Sequence, residues 1–356
     1  MQFLTKVPTS LKYEYMLREE NSWRAYHIFY GGTPLTVLRD CLLPLAQNMV
    51  DEGDIIEFFF INYWLEGSHV RLRLRVHPDN VNHVNEKVIA RVEDYLAKHP
   101  SYHPMAELAD NNFYESLFEG EFTTADRPKY FDEFGNPRFA KNNSIEIREY
   151  EPEWLRYGGE VGMLISERQF VDSTHLMIKL MELGNMGVRT ILLGISTQIT
   201  FITAVCMLKD LSLIEDFFVA YHRRWTDGYD MNPAYETKEG RVQHTATVNN
   251  IRKKIVPRAS SILSGNVEDF PQILKDWVRI CTRARKQIED ACTIAPLTFK
   301  YEDGIREVSD PQDAAWSLCH SFIHMTNNRI MVSVADEAFI AYQIVEAMRK
   351  AKTNDN

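Results

Sequence analysis

The sequence lacks the features that define several common protein classes. It has only five cysteines, widely spaced and without a Cys-x-x-Cys pair, so we expect no disulfide framework and predict a reducing cytoplasm. Basic residues are not in excess, since 50 Asp and Glu against 40 Lys and Arg give a net charge of -10. A general nucleic-acid binder carries a basic excess, so direct binding to nucleic acid is not expected.

Motifs that bind nucleotides or mark serine hydrolases are also missing. The chain contains no Gly-x-x-x-x-Gly-Lys-Ser/Thr, no Gly-x-Gly-x-x-Gly and no Gly-x-Ser-x-Gly. Residues 1–15 have no apolar core behind a basic start, so no signal peptide is expected. The most apolar stretch, 187–208, contains Arg189 and several hydroxyl side chains, which favours a buried helix over a membrane span.

The residues that are present suit a globular α+β protein. The chain has 356 residues, 45% of them hydrophobic, which is sufficient for one large domain or two smaller ones. We predict a single domain over 1–356 with an internal boundary near Gly158, strand-rich at 20–157 and mostly helical at 160–350. Strands are predicted at 23–30, 55–65, 68–77 and 144–150, with helices at 36–50 and 81–96. This order has ferredoxin-like tendencies.

Periodicity of the helical type dominates the second part. Helices are predicted near 160–183, 187–208, 210–225, 243–256, 267–292, 310–328 and 334–350. Asp310 before Pro311 is a typical N-cap followed by proline at the first helical position. Before this part, residues 101–143 read as an irregular excursion with several prolines. Long loops of this kind are more often lids or binding loops than simple connections.

The strand at 68–77 carries an unusual concentration of positive charge. Because side chains alternate between the faces of a strand, Arg71, Arg73 and Arg75 share one face with His69 and His77. One interpretation is a solvated strand whose arginines pair with surface carboxylates. The other is a cradle for a substrate with more than one carboxylate, since unpaired arginines are costly to bury and bind carboxylates well.

Two further segments contain candidate site residues. Arg148 and Arg156 flank a proline, and Arg156-Tyr157 precede a glycine pair that allows a tight turn. This segment is either part of a site or a charged turn between domains. On the later helix, His320, His324 and Asn328 share one face, while Leu318, Phe322 and Met325 indicate the core face. A histidine there suits proton transfer, and the motif lacks the glutamate and third ligand of a zinc site.

Together these segments resemble a known family. The match runs in order through 23–30, 69–73, 150–159 and 324–329. It resembles the C-terminal elimination domain of class I lantibiotic dehydratases, a family that includes stand-alone thiopeptide-type biosynthesis proteins. The Arg-Tyr-Gly-Gly turn and the His-x-Arg-x-Arg strand carry the resemblance most specifically.

The resemblance implies a lyase that acts on a precursor peptide. In this family a Ser or Thr is first esterified with glutamate from glutamyl-tRNA by a separate glutamylation domain. The elimination domain then removes the α-proton and expels glutamate, leaving a dehydroamino acid. The resemblance assigns the anionic groups to Arg71 or Arg73 and to Arg148 or Arg156, and the proton to His324. The residues expected to bind substrate are His69, Tyr157, Asn328 and Arg329.

Two other functions remain open from the sequence. A related branch, the thiopeptide pyridine synthases, uses a similar fold for a formal 4+2 cycloaddition between two dehydroalanines, with expulsion of the leader peptide. A non-catalytic protein could instead capture a leader peptide by strand addition at 55–65. The excursion at 101–143 is longer than the family leads us to expect, which leaves the substrate side open.

The resemblance also sets the expected partners. These are a precursor peptide with its leader and a separate glutamylation protein, because the chain lacks the much longer glutamylation part. No tRNA-dependent glutamylation activity, no cofactor and no metal are expected. A homodimer is left open.

Overall fold

A computed structural model describes residues 7–103, 114–115, 117–119, 122, 124–229, 231–301 and 303–354. The chain forms two compact units, Met16–Glu151 and Pro152–Asn356 with Met1–Tyr15. The first contains a four-stranded sheet and the second is mostly helical, which confirms the predicted α+β class. The single domain with an internal boundary near Gly158 stays a prediction, because compactness alone does not show where independent folding begins.

The first unit, here called the sheet unit, has the βαββαβ order of a ferredoxin-like fold. Its elements are α1 (Lys12–Glu20, shared with the second unit), β1 (Ser22–Phe29), α2 (Pro34–Val37), a π-turn (Leu38–Leu42), α3 (Leu43–Asp51), β2 (Glu57–Tyr63), β3 (His69–Val76), α4 (Val81–Lys98), α5 (Arg127–Tyr130) and β4 (Ser144–Arg148). The sheet order is β2-β3-β1-β4 with antiparallel neighbours, so the predicted hairpin of the second and third strands is confirmed.

The alternation along β3 separates an apolar face from an arginine face. On the apolar face Leu72, Leu74 and Val76 are buried. The amphipathic helix α4 packs on this side, where the Tyr26 hydroxyl donates to Asn85 Oδ1 at 2.6 Å. The hydrophobic pattern therefore fixes which way the arginines point.

The predicted excursion is only partly described. Residues 104–113 and several single positions after them lie outside the described residues. The described remainder includes α5, a 3₁₀ turn at Thr124–Asp126, and an aromatic cluster. Its buried members are Leu65, Tyr114, Phe118 and Phe131, with Tyr63 and Trp64 packed against them. This cluster anchors the excursion to the end of the β2–β3 hairpin.

The second unit, here called the helical unit, matches the predicted helices closely. They are α6 (Gly159–Glu182), α7 (Arg189–Leu208), α8 (Leu211–Gly228), α9 (Lys238–Leu263), α10 (Gln272–Ile294), α11 (Pro311–Arg329) and α12 (Val334–Asn354). Asp310 caps α11 as predicted, accepting from the backbone nitrogens of Gln312 and Asp313 at 2.6 and 3.2 Å. A hairpin of β5 (Leu297–Tyr301) and β6 (Gly304–Val308) lies between α10 and α11 and was not predicted.

Helix α7 is long and apolar enough to cross a membrane by length and composition alone. Its most apolar window has a mean hydropathy of 2.0, and 67% of that window is buried inside the protein. Core helices pass the same test, and this burial agrees with the buried helix predicted from the sequence.

Candidate functional site

Strand β3 places the predicted arginines in the interior of the sheet. It pairs with β1 on one side and β2 on the other, so that Arg71 lies opposite His27 and Ile61. Arg73 and Arg75 are 5% and 2% exposed, and His69 is 1% exposed. The interpretation of a solvated strand is therefore wrong for these side chains. A buried cation needs a compensating partner, and the arginines differ in whether they have one.

Arg75 and Arg148 of the sheet unit form ion pairs with carboxylates. Arg75 Nε lies 3.2 Å from Glu57 Oε1, and the guanidinium stacks 4.4 Å from the ring centre of Trp23. Arg148 donates to Glu66 at 2.6 and 3.1 Å and to Glu146 at 2.7 and 2.9 Å. Burial opposes the charged form of Arg148, but the two carboxylates outweigh it and raise its pKa.

Arg71 meets aromatic and neutral groups instead. Its Nε donates to His69 Nε2 at 3.2 Å, and its guanidinium carbon lies 3.4 Å from the ring centre of Tyr63. His69 Nδ1 is 2.8 Å from the carbonyl oxygen of Gly67, which can only accept, so the proton of the ring sits on Nδ1. Burial, followed by the charge of Arg71, lowers the pKa of His69 to about 3, so His69 supplies no counter-charge.

Arg73 is the least satisfied of these cations. Its Nη2 lies 3.3 Å from His27 Nε2, and its guanidinium is 5.7 Å from the ring centre of Tyr150. Its Nε and Nη1 are buried and make no hydrogen bond to the described residues. Burial and then the neighbouring Arg71 lower its pKa to about 9. Burial, together with Arg73 and Arg71, also lowers the pKa of His27, which therefore stays neutral.

The predicted glycine turn starts helix α6 in the helical unit. Gly158 and Gly159 have φ angles of 83° and 76°, in the left-handed region that favours glycine. A Cβ on Gly158 would lie 2.9 Å from Phe299 of β5, and the backbone nitrogen of Lys300 donates to Leu155 O at 2.9 Å. The unpredicted β5–β6 hairpin therefore packs against this turn, and a side chain at Gly158 would be crowded by Phe299.

Arg156 in this turn is partly exposed and close to a histidine. Its Nη1 donates to Glu153 Oε2 at 2.9 Å, with the two side chains 35% and 58% exposed. Exposed pairs of this kind contribute little to stability. Burial, then the charges of Arg224, His324 and Arg156, hold the pKa of His320 well below its usual value. Arg156 thus lies within electrostatic reach of His320 on α11.

His324 is held by a carboxylate that the sequence analysis did not identify. Its Nδ1 lies 2.9 Å from Oε1 of Glu337 on α12, and the Glu337 side chain is 0% exposed. The other oxygen of Glu337 accepts a hydrogen bond from the Tyr221 hydroxyl of α8. The ring of Trp225 lies 4.9 Å from that of His324. Only the packing of three helices brings these groups together, although Glu337 is 13 residues from His324.

Tyr157 and Arg329 lie in the interior of the helical unit, and Asn328 is half-buried. Tyr157 is 3% exposed, and its ring meets Phe170 edge-on at 5.2 Å. Arg329 is fully buried, donates to Met325 O at 2.8 Å, and lies 5.0 Å above the same Phe170 ring. Burial lowers the pKa of Arg329 to about 9. Their roles in binding substrate, and that of Asn328, stay predictions.

The structure thus distributes the predicted residues between the units. The sheet unit brings together His69, Arg71 and Arg73, and holds Arg148 in carboxylate pairs. The helical unit holds Arg156, Tyr157, His324, Asn328 and Arg329. Among the described residues, no three potential metal ligands cluster together.

Comparison with known proteins identifies the family. The model for the lantibiotic biosynthesis dehydratase C-terminal family matches residues 23–348. The chain belongs to this family. Membership makes the protein an enzyme of the biosynthesis of ribosomally made, modified peptides. A search of curated protein sequences finds no significant match.

Solved structures of similar fold match this chain over nearly all, or over only part, of their own length. The pyridine synthase TbtD from thiomuracin biosynthesis is 18% identical with a TM-score of 0.66, and the match covers 91% of this chain and 97% of that one. TsrL is 14% identical with a TM-score of 0.57, covering 93% and 95%. The tRNA-dependent lantibiotic dehydratase MibB from Microbispora sp. 107891 is 16% identical with a TM-score of 0.52, covering 94% of this chain and 28% of that one.

Proposed function

We propose that the protein is a lyase that eliminates glutamate from glutamylated Ser or Thr residues of a precursor peptide. The observation that carries this proposal is the pair Arg71 and Arg73. Both lie on the arginine face of β3, and neither has a carboxylate partner among the described residues. A guanidinium binds a carboxylate in a planar, two-pronged geometry. A glutamyl ester has one free carboxylate before cleavage and releases a second one, so an arginine pair suits this leaving group.

The proposed step conserves all atoms and charges. His324 accepts the α-proton of the esterified residue at Nε2, and the electrons of the Cα–H bond form the Cα=Cβ double bond. The Cβ–O bond breaks, and glutamate leaves with the electron pair as a carboxylate. Guanidinium groups stabilise the negative charge that develops on the enolate and on the leaving group.

A glutamylated peptide tests the proposal directly. The folded protein is incubated with a peptide that carries a glutamyl ester on Ser or Thr, and mass spectrometry follows the loss of glutamate. We expect conversion to the dehydroamino acid without tRNA or added cofactor. An ester that stays intact after prolonged incubation would overturn the lyase assignment.

Conservative substitution of the arginines tests the site itself. Arg71→Lys and Arg73→Lys keep the charge but lose the planar fork. Losing a charge-assisted hydrogen bond costs about 1.5–3 kcal/mol, which is roughly ten- to a hundredfold in rate if the bond forms mainly in the transition state. Arg306→Lys is the matched control, because Arg306 pairs with Asp303 on the surface with 56% of its side chain exposed. Wild-type rates in both test variants would remove the arginine pair from the mechanism.

Cycloaddition is the second candidate, and the structural similarity favours it. The TM-score is 0.66 for the pyridine synthase and 0.52 for the dehydratase. A pyridine synthase needs a dehydrated, azole-containing peptide and no glutamyl ester. Formation of a pyridine ring from such a peptide, with release of the leader and no action on the ester, would establish this activity instead.

The expected partners follow from either activity. We propose that a precursor peptide is recognised through its leader and that a separate protein performs the glutamylation. Strand β2 lies at one edge of the described sheet, which leaves strand addition of a leader peptide open. We also propose a cytoplasmic location, with which the five free cysteines are compatible. Leader binding without turnover of either substrate would favour a non-catalytic role.

A further inference from the structure

The contact between His324 and Glu337 fixes the state of the imidazole ring. A carboxylate accepts hydrogen bonds, so the 2.9 Å contact of Nδ1 with Oε1 places the ring proton on Nδ1. Nε2 is then the basic nitrogen of the neutral ring. Within the part of the chain that the structure describes, no group occupies Nε2 by a hydrogen bond. His324 therefore presents a free lone pair.

Two hydrogen bonds and a helix dipole hold the Glu337 carboxylate in place. Tyr221 donates to its second oxygen, so both carboxylate oxygens have a hydrogen-bond partner. Burial, and then Glu337, raise the pKa of Tyr221 well above its usual value, so this hydroxyl stays a donor. Glu337 also lies in the first turn of α12, where the helix dipole favours negative charge.

The start of α12 is fixed by its own capping interactions. Ser333 Oγ accepts from the backbone nitrogen of Asp336 at 3.2 Å and donates to the Asp336 carboxylate at 2.9 Å. Asp336 is paired in turn with Arg189 of α7. The turn that carries Glu337 is therefore rigid, and the fully buried Glu337 carboxylate is directed to Tyr221 and His324.

We propose that Glu337, held by Tyr221, is a positioning residue that sets His324 as the proton acceptor and stabilises the imidazolium after proton transfer. This inference rests on the proposed role of His324 as the base. The proton that arrives at Nε2 leaves the ring doubly protonated, and the carboxylate 2.9 Å from Nδ1 compensates the new charge. A carboxylate that orients a histidine in this way selects the ring tautomer without touching the substrate.

Glu337→Gln tests the role with two independent readouts. The first is the pH dependence of turnover on the glutamylated peptide. We expect kcat to fall by about 100-fold, the lower end of what a positioned general base contributes, with a much smaller change in KM. The acidic limb of the profile should shift to lower pH, because a neutral amide no longer stabilises the imidazolium.

The second readout needs no substrate. Nitrogen-15 NMR of labelled histidine reports which ring nitrogen carries the proton, so it separates failure of this inference from failure of the proposed function. We expect the Nδ1–H form in the native protein and a mixture or the Nε2–H form in Glu337→Gln. An unchanged tautomer together with a wild-type pH profile would overturn the inference.

Several other titratable or charged groups surround this site and stay unchanged in Glu337→Gln. They are His320, the arginines that act on it (Arg224 and Arg156), Tyr221 of α8, and the Asp336–Arg189 pair. Glu236→Gln is the matched control, since Glu236 lies 3.4 Å from a different histidine, His222. It should change neither readout for His324.

Tyr221→Phe keeps the inference testable if Glu337→Gln does not fold. It removes only the donor to the second oxygen of Glu337, so both readouts should move in the same direction by a smaller amount. If both remain at wild-type values in folded Tyr221→Phe, Tyr221 does not hold Glu337 in the productive position and the proposed arrangement is wrong.

Discussion

Arg73 in the sheet unit and His324 in the helical unit differ in whether a carboxylate contacts them. In the sheet unit, Arg73 is buried beside the neutral ring of His27, and two of its nitrogens have no hydrogen-bond partner among the described residues. In the helical unit, His324 faces a buried carboxylate, Glu337, whose second oxygen is also bonded. Arg71 and Arg73 therefore make no ion pair with a carboxylate among the described residues, whereas His324 contacts one in Glu337.

This difference suits the arginines to binding an anion and the histidine to catalysis from a fixed geometry. A buried cation without a counter-charge costs folding stability, so its presence is best explained by an anion that the protein binds. A complete hydrogen-bonded pair needs no ligand and can hold a catalytic side chain in one geometry. The arginines of β3 therefore suit recognition of an anionic group, and the histidine suits repeated proton transfer.

The largest expected effect concerns the histidine of this comparison. His324→Gln removes the basic nitrogen but keeps an amide N–H that can donate to Glu337, so the buried carboxylate stays paired. We expect turnover to fall by about 100-fold or more with the fold retained. His324→Ala is less informative, because an unpaired buried group costs about 1–3 kcal/mol and mixes stability with chemistry.

Single-turnover kinetics and thermal unfolding on the same preparation measure the two effects separately. His222→Gln serves as the control, since His222 lies on α8 and contacts Tyr235 at 3.2 Å rather than Glu337. If folded His324→Gln reacts at nearly the normal rate, His324 is a structural residue and the proton carrier must be sought elsewhere.

Much of the fold could be predicted because local signals agree with the tertiary structure. Aromatic-rich runs at β1 and β2, alternation along β3 and β4, and helical periods at 36–50 and in α4 predict the βαββαβ order, and the Asp310 cap marks the start of α11. The β5–β6 hairpin could not be found in this way. Its strands have only five residues each, and β6 is largely exposed, so it shows no strong apolar alternation.

The site was less accessible to sequence analysis. Alternation placed Arg71 and Arg73 on one face of a strand, but it could not show that Arg73 is buried there or that neither arginine pairs with a carboxylate among the described residues. Glu337 gave no signal of its own, because its contact with His324 depends on how α11 packs against α12. The helical period predicts a helix near 334–350, but it does not show the direction of Glu337.

A smaller effect is expected on the folding stability when an arginine of β3 is replaced. Replacing buried ion pairs by apolar side chains of similar volume is often neutral or stabilising by about 1–4 kcal/mol, and a buried charge without a paired carboxylate is less favourable still. We therefore expect Arg73→Met to gain about 1 kcal/mol of stability while losing activity. Arg75→Met is the matched control on the same face. It should lower stability, because it leaves Glu57, whose side chain is 11% exposed, without its cation.

Urea unfolding of both variants at neutral pH gives the two free energies. The opposite signs are the important result, since both substitutions remove one charge and a similar volume. If Arg73→Met destabilises the protein as much as Arg75→Met, the Arg73 guanidinium is well compensated in the folded protein. The case for a bound anion at this position would then be lost.

The effect that is smallest at neutral pH, and that grows as the pH falls, concerns the neutral histidine beside Arg71. Burial and the charge of Arg71 lower the pKa of His69 to about 3, whereas an unfolded histidine titrates near 6.5. Between about pH 6.5 and pH 3 the unfolded chain therefore binds more protons at this residue, and the free energy of unfolding falls as the pH falls, by up to about 1.4 kcal/mol per pH unit. His69→Gln should reduce this slope by about one proton. Urea unfolding at a series of pH values between about 7 and 5 measures the slopes. Equal slopes for His69→Gln and the wild type would show that His69 is not the neutral hydrogen-bond acceptor of Arg71, and the charge balance of the arginine face would have to be reassigned.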